Sequence, residues 1–277
     1  MTILTFTLIL LAGAYLAGLV GSLTGLGGGV VVIPLLTLVF HVDIRYAIGA
    51  ALLAAIANSS GAASAYVKEG ITNIRLGMFL EIATTIGAVA GAVIAVYTPT
   101  NTIAILFGAI LLFSAYMTIR KKNQEALTTG SNAALKLKLN STYPAKDGEI
   151  PYQLKNVGAG FSIMTLAGVL SGLLGIGSGA LKVLAMDSTM RIPFKVSTTT
   201  SNFMIGVTAA ASAVIYLQRG YMDAGIAFPV VLGVLAGAFT GSKLLTRLDP
   251  KVLKYIFCLA ISFVALEMIY NGYHHQF

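Results

Sequence analysis

No charged side chain occurs between Met1 and Phe40, and charge-free runs recur at 46–67, 196–217 and 224–242. The later runs each approach the ~20 residues a helix needs to cross the hydrocarbon core of a bilayer. Only 10% of residues are charged, 57% are hydrophobic and the mean hydropathy is +0.86, whereas a soluble domain carries about 25% charged residues. The chain therefore reads as an all-α integral membrane protein. A transmembrane β-barrel is disfavoured because its strands would alternate apolar and polar positions over about ten residues, and these runs are continuously apolar.

The net charge of +8 does not point to nucleic acid, because Lys and Arg fall in the loops between apolar runs, as orientation signals do. Cys258, the single cysteine, lies in an apolar run and closes no disulfide within the chain. The N-terminal "MTILTFTLILLAGAY" lacks the positive n-region of a signal peptide, so retention is expected. Trp is absent, and Tyr66, Tyr97, Tyr116 and Tyr216 at the ends of runs are the expected interfacial belt.

The chain is written twice. Gly25, Gly27 and Gly29 in "GLVGSLTGLGGGVVVIP" return as Gly175, Gly177 and Gly179, Gly70 returns as Gly220, and "GAVAG" at 87–91 returns as "GAFTG" at 237–241, all offset by 150; "AASA" at 62–65 returns at 210–213, offset by 148. A duplicated unit of roughly 120 residues gives a first repeat 1–119 and a second repeat 155–277. The polar stretch 120–154 between them is expected to be a flexible cytoplasmic linker.

Each repeat opens with a long apolar stretch, 3–40 and 157–190. As one straight helix the first would measure about 57 Å against a core of about 30 Å. The glycine cluster is the natural break. It turns each opening stretch into a pair of short helices, followed by three ordinary spans at 46–67, 76–97 and 102–119, then 196–217, 224–242 and 252–270. Five passes per repeat make the second repeat inverted. With the linker inside, that arrangement places fifteen Lys or Arg on the cytoplasmic side and only Arg45 and Arg219 outside; one pass per opening stretch would give ten and seven. The positive-inside rule selects the inverted arrangement, with both termini extracytoplasmic.

Matched Gly-interrupted segments in inverted repeats are the sequence pointer to a transporter's substrate site. A broken helix presents backbone N–H groups and the positive end of the next half-helix dipole, which favours an anion. The alternative is that the glycines only let helices pack closely. Clustering within five residues at the same place in both repeats favours the break, made of Gly27, Gly28 and Gly29 in one repeat and Gly177, Ser178 and Gly179 in the other. "GLGGG" is not a dinucleotide fingerprint, because no strand precedes it and no acidic residue follows at the required distance.

Lys182 lies within a turn of Gly179 in an apolar setting, where an ammonium costs at least ~2.5 kcal/mol. It either holds a transported anion with the N–H groups of 177–179, or snorkels or pairs with Asp187; its counterpart in the first repeat is Val32. Asn58, Ser59, Thr200, Ser201 and Asn202, in "ANSSGAAS" and "STTTSNFMIG", are candidate hydrogen-bond donors to an oxyanion, although such side chains also satisfy their own helix carbonyls. Glu81 is the acid inside a span of the first repeat. It is a candidate for coupling a proton or cation, against a salt bridge to Arg75 or a place at the membrane edge.

"GSLTGLGGGVVVIPLL" and "SGLLGIGSGALKVL", with "KVSTTTSNFMIG" following the second, resemble the paired motifs of the TauE/SafE family of sulfite and organosulfonate exporters. The resemblance covers both repeats and implies a multispan inner-membrane permease for small anions such as sulfite, sulfoacetate and other sulfonates or carboxylates. Many members carry proline where Leu184 stands and glycine where Ser178 stands.

An intramembrane enzyme is the rival from another class, but His41, His274 and His275 lie outside the expected spans and none serves Ser178 as a base. Paired aspartates and Cys/His clusters are also missing from the spans. An anion channel uses the same broken helices, and accumulation against a gradient separates the two. The expected partners are the lipid bilayer, a small anion, a coupling proton or cation and, where copies associate, a second copy of the chain. No cofactor, metal or nucleic acid is expected.

Overall fold

The computed structural model describes residues 3–24, 27–120, 131–145, 148–244 and 250–274. Gly25, one of the repeated glycines, lies outside them, as do Lys121, Lys122, Lys146, Arg247 and His275. The chain is helical, and among the described residues six helices are long and apolar enough to cross a membrane.

In the first half, α1 (Ile3–Thr24) precedes the break, and α2 (Gly29–Pro34) follows it and runs on as a π-helical turn, Leu35–Val39. Then come α3 (Ile44–Lys68), α4 (Ile74–Tyr97) and α5 (Thr100–Arg120). Between the halves lie α6 (Asn132–Lys136) and a hairpin of β1 (Ser141–Ala145) and β2 (Gly148–Tyr152). The second half repeats the first: α7 (Val157–Leu174), α8 (Gly179–Leu184) with its π-helical turn Ala185–Thr189, α9 (Phe194–Gln218), α10 (Ala224–Leu244) and α11 (Pro250–Tyr273). The starts of α2, α3, α4 and α5 recur at α8, α9, α10 and α11 with the same offset of 150, so "AASA" at offset 148 is not part of the aligned repeat.

The opening stretches differ from two equally short helices. At 22 and 18 residues, α1 and α7 are each long enough to cross on their own, while Gly29–Val39 is short. Three left-handed residues, Gly175, Gly177 and Ser178, make the second break. Gly175 caps α7 at φ +67°, and its N–H bonds the Ser171 carbonyl. Gly177 follows at φ +68°.

The halves are exchanged rather than side by side. The most extensive packing joins α1 to α10 and α4 to α7, and α3 lies against α9. Glycine governs the first two contacts. A methyl group at Gly87 or Gly91 would collide with the Thr165 or Val169 carbonyl of α7, and one at Gly168 or Gly172 with the Thr84 or Ala88 carbonyl of α4. Gly18 and Gly237 do the same for α1 and α10, against Val234 and Tyr15. "GAVAG" and "GAFTG" are therefore close-approach faces, the geometry that lets backbones touch where no hydrophobic effect drives helices together. On the opposite side of α4, Met78, Ile82, Ile86 and Val93 form an exposed apolar stripe, the face a helix presents to lipid.

The middle helices α3 and α9 run antiparallel. The Tyr46 ring meets Tyr221 beyond the end of α9, and Ser59 meets Asn202 near its start. At one end of the bundle Arg45 donates to the Thr98 carbonyl at 3.3 Å and to the Tyr221 hydroxyl at 3.5 Å, bringing the start of α3 and the loops after α4 and α9 together.

At the other end the linker is built, not loose. Leu139, Tyr152 and Leu154 share a core with Leu76, Leu80, Met190 and Val196. The Asn73 side chain caps α4 by accepting from the Leu76 N–H, and its amide donates to the Leu139 carbonyl and the Tyr152 hydroxyl. Burial pushes the Tyr152 phenol up to about 12, with the Asn73 bond opposing, so Tyr152 stays neutral. Residues 121–130 lie outside the described part of this segment. The polar composition misled the expectation of flexibility because a few apolar residues suffice to dock a hairpin.

The tyrosine belt also divides. Tyr97 and Tyr116 are exposed, but Tyr216 is buried and donates to the Gly172 carbonyl at 3.3 Å. The last carbonyls of a helix lack intrahelical partners, and Tyr216 supplies one to α7. The Tyr66 side chain lies outside the described residues.

Candidate functional site

The two breaks abut each other. A methyl group at Gly29 would stand 2.8 Å from the Gly175 carbonyl oxygen, and one at Gly27 3.5 Å from that of Ile176. Gly27 has φ +82°, and Ile205 of α9 lies beside both Gly27 and Gly177. Gly28, with φ −66°, is the N-cap of α2 and faces Val234. In its place in the second half, Ser178 has φ +45°, a left-handed conformation that costs a side-chain-bearing residue roughly 1–2 kcal/mol. Leu184 causes no change of course: its backbone angles, −61° and −45°, are close to the −60° and −37° of Pro34, and a π-helical turn follows each.

Around the breaks, polar side chains join the helices. Ser59 of α3 donates to the Asn202 carbonyl at 2.5 Å, Ser201 of α9 donates to the Gly179 carbonyl at 3.2 Å, and the Asn202 amide reaches the Ser22 carbonyl at 3.5 Å. Thr200 is turned elsewhere, accepting from the Asn73 N–H at 3.1 Å. Asn58 is fully buried with neither amide atom hydrogen-bonded, and the Ser178 hydroxyl and Asn202 Oδ1 are likewise buried without a partner among the described residues. Buried polar atoms are normally satisfied, so these are the atoms that a polar ligand or water would meet. Among the described residues no base bonds the Ser178 hydroxyl, a bond that a serine nucleophile requires.

Lys182 and Glu81 come together. Lys182 is 0% exposed and Glu81 7%; Nζ and Oε2 lie 4.0 Å apart. Thr208 of α9 joins them, accepting from Lys182 Nζ at 2.5 Å and donating to Glu81 Oε1 at 2.6 Å. Thr85 adds a 3.3 Å bond to Oε1, and the Thr84 hydroxyl lies 3.5 Å from that of Thr208. The local pairing of Glu81 with Arg75 considered from the sequence does not account for this contact: Arg75 instead donates to the Lys138 carbonyl. The offset of 150 puts Val32, Val231 and Asn58 in the places of Lys182, Glu81 and Thr208, so the charged centre, built from both halves, has no charged counterpart at the repeat-related place.

Thr208 was missed because "STTTSNFMIG" ends two residues before it. Its equivalence to Asn58 at the 150 offset was the available signal.

These features define a helical membrane protein with a buried ion pair beside two abutting helix breaks, the class of a membrane transporter. The chain belongs to the TauE/SafE family: the family model described as sulfite exporter TauE/SafE matches residues 10–268. It is similar to the probable membrane transporter protein YunE of Bacillus subtilis (strain 168), 27% identical and covering 97% of this chain and 99% of that protein. The probable membrane transporter protein YdhB of the same organism is 26% identical over 86% of this chain and 89% of its own. The probable membrane transporter protein MJ0441 of Methanocaldococcus jannaschii is 23% identical over 96% of each. No solved structure matches the chain. The family and these names indicate a transporter rather than an enzyme.

Proposed function

We propose that this protein carries small anions, sulfite, sulfoacetate or related organosulfonates and carboxylates, out of the cell across the inner membrane by alternating access. The observation that carries this reading is the meeting of the two breaks, Gly29 against Gly175, with Lys182 one turn into the half-helix that follows the second. The anion would sit against Lys182, the backbone of 27–29 and 177–179, and the unpartnered polar atoms of Asn58, Ser178 and Asn202.

The antiparallel course of α3 and α9 supports reading the halves as inverted repeats, in which one packing opens to either face as the halves rock. The meeting of Arg45, Thr98 and Tyr221 at one end and the linker at the other supports five passes per repeat, a cytoplasmic linker and extracytoplasmic termini. A centre with Lys182 fully enclosed supports a carrier over an open pore.

The test is flux in proteoliposomes with a panel of sulfur oxyanions, sulfonates and carboxylates, with and without a pH gradient. The reading expects at least one of these anions to be transported by the wild type and to be lost with Lys182→Ala in folded protein. Equal flux in the mutant removes Lys182 from the anion site.

A further inference from the structure

We propose that Glu81 is a proton site coupled to anion binding through Lys182: Glu81 takes up one proton as an anion takes its place as the counter-charge of Lys182. This rests on the anion reading above and adds the identity of the coupling ion and the residue that carries it.

Lys182 is enclosed, and its ammonium faces Thr208 and Glu81. Burying an ammonium without a counter-charge costs several kcal/mol, so Glu81 supplies the balance when no anion is bound. An anion at Lys182 then places two negative charges against one positive charge in a site that excludes water, and like charges so placed disfavour joint ionisation. Either Glu81 leaves or it loses its charge. It is held: Thr208 and Thr85 both donate to its Oε1.

A metal cation is a poor substitute for the proton. It would add positive charge a few ångström from the Lys182 ammonium, and the Thr208 oxygen already accepts from Lys182. A proton removes the carboxylate charge and adds none beside Lys182. Its place is open: Oε1 accepts from Thr208 and Thr85, while Oε2 has no hydrogen bond. The proton comes from hydronium, an O–H bond forms at Oε2, water is released and the ammonium is left for the anion.

Among the described residues the titratable groups on the elements around Glu81 are few. The helix α7, packed on α4, carries none. On α9, also packed on α4, Lys195 is exposed and the Tyr216 hydroxyl is bonded to Gly172. Arg75 at the start of α4 is engaged with Lys138, and Asp187 is buried in the turn that follows α8. Val32 and Val231 hold the repeat-related places of Lys182 and Glu81, so one proton site is expected per chain.

The test uses the full chain and radiolabelled isethionate, sulfoacetate and thiosulfate, anions that keep their charge between about pH 5.5 and 8. Wild-type affinity for a bound probe should fall as pH rises, by up to about tenfold per unit, the slope for one linked proton. In Glu81→Gln that slope should vanish, and an imposed pH gradient should no longer drive accumulation. Independently of any variant, an anion gradient across wild-type vesicles should change the reading of an entrapped pH dye. A probe that binds wild type with pH-independent affinity, or moves without protons, overturns the coupling and leaves the anion site intact. Failure of every probe to bind wild type overturns the anion reading and the coupling with it.

Discussion

Glu81 and Lys182 come from different halves of the chain and share one hydroxyl: Thr208 accepts from Lys182 and donates to Glu81, with Nζ and Oε2 4.0 Å apart. Removing one member of such a pair leaves a buried charge, a loss of about 3–5 kcal/mol. Lys182→Met should lower thermal stability in detergent at neutral pH by an amount in that range. Adding Glu81→Gln should recover much of the stability, because no charge is then left buried, without restoring anion binding. Unchanged stability in Lys182→Met means the pair does not form.

The contact of α4 with α7 depends on missing side chains. Gly91→Val would drive a branched side chain into the Val169 carbonyl, and overpacking of this kind costs about 1–3 kcal/mol. Gly158→Val, at an exposed position with nothing near its added carbon, is the control. Thermal unfolding of the two should differ by at least 1 kcal/mol, a threshold set by the lower end of that range; similar stabilities contradict the packing.

Ser178 sits in the left-handed region at φ +45°. Ser178→Gly should stabilise the protein by up to about 1 kcal/mol. A β-branched residue is still less suited to this conformation, so Ser178→Val should cost more flux than Gly28→Val, whose backbone is ordinary and whose neighbour is the Val234 side chain at 3.2 Å. The comparison is made in vesicles with labelled sulfite or sulfoacetate. Normal flux in both folded mutants confines the glycine clusters to packing.

The proposed orientation places Gln218 outside and Glu149 inside, and both are exposed. In a Cys258→Ser background, a membrane-impermeant thiol reagent added to intact cells should modify Gln218→Cys and leave Glu149→Cys untouched. Labelling of both from the same face contradicts the five-plus-five arrangement.

Much of the fold was legible because a membrane helix announces itself by composition: the expected span 46–67 became Ile44–Lys68 and 76–97 became Ile74–Tyr97. Glycine spacing announced the breaks; the glycines at 87–91 and 237–241, read from the sequence only as marks of the repeat, prove to be helix contacts. The pairing of Glu81 with Lys182 was hidden, because each had a nearer opposite charge in sequence and only the exchange of α4 and α7 between halves joins them. Thr200 read like its neighbours, yet a helix turns successive residues to different faces, and its hydroxyl serves Asn73 at the linker end. The docked linker was hidden for a similar reason, since its anchors Leu139 and Tyr152 are scattered through a polar segment.

Counterflow tests the central claim most directly. Proteoliposomes loaded with unlabelled sulfite or sulfoacetate are diluted into a trace of the same labelled anion, and internal label is followed with time. A carrier whose anion site includes Lys182 should accumulate label transiently above the outside concentration for at least one of the two anions, and folded Lys182→Met should not. Equilibration without overshoot in the wild type contradicts alternating access, and an undiminished overshoot in Lys182→Met contradicts the site.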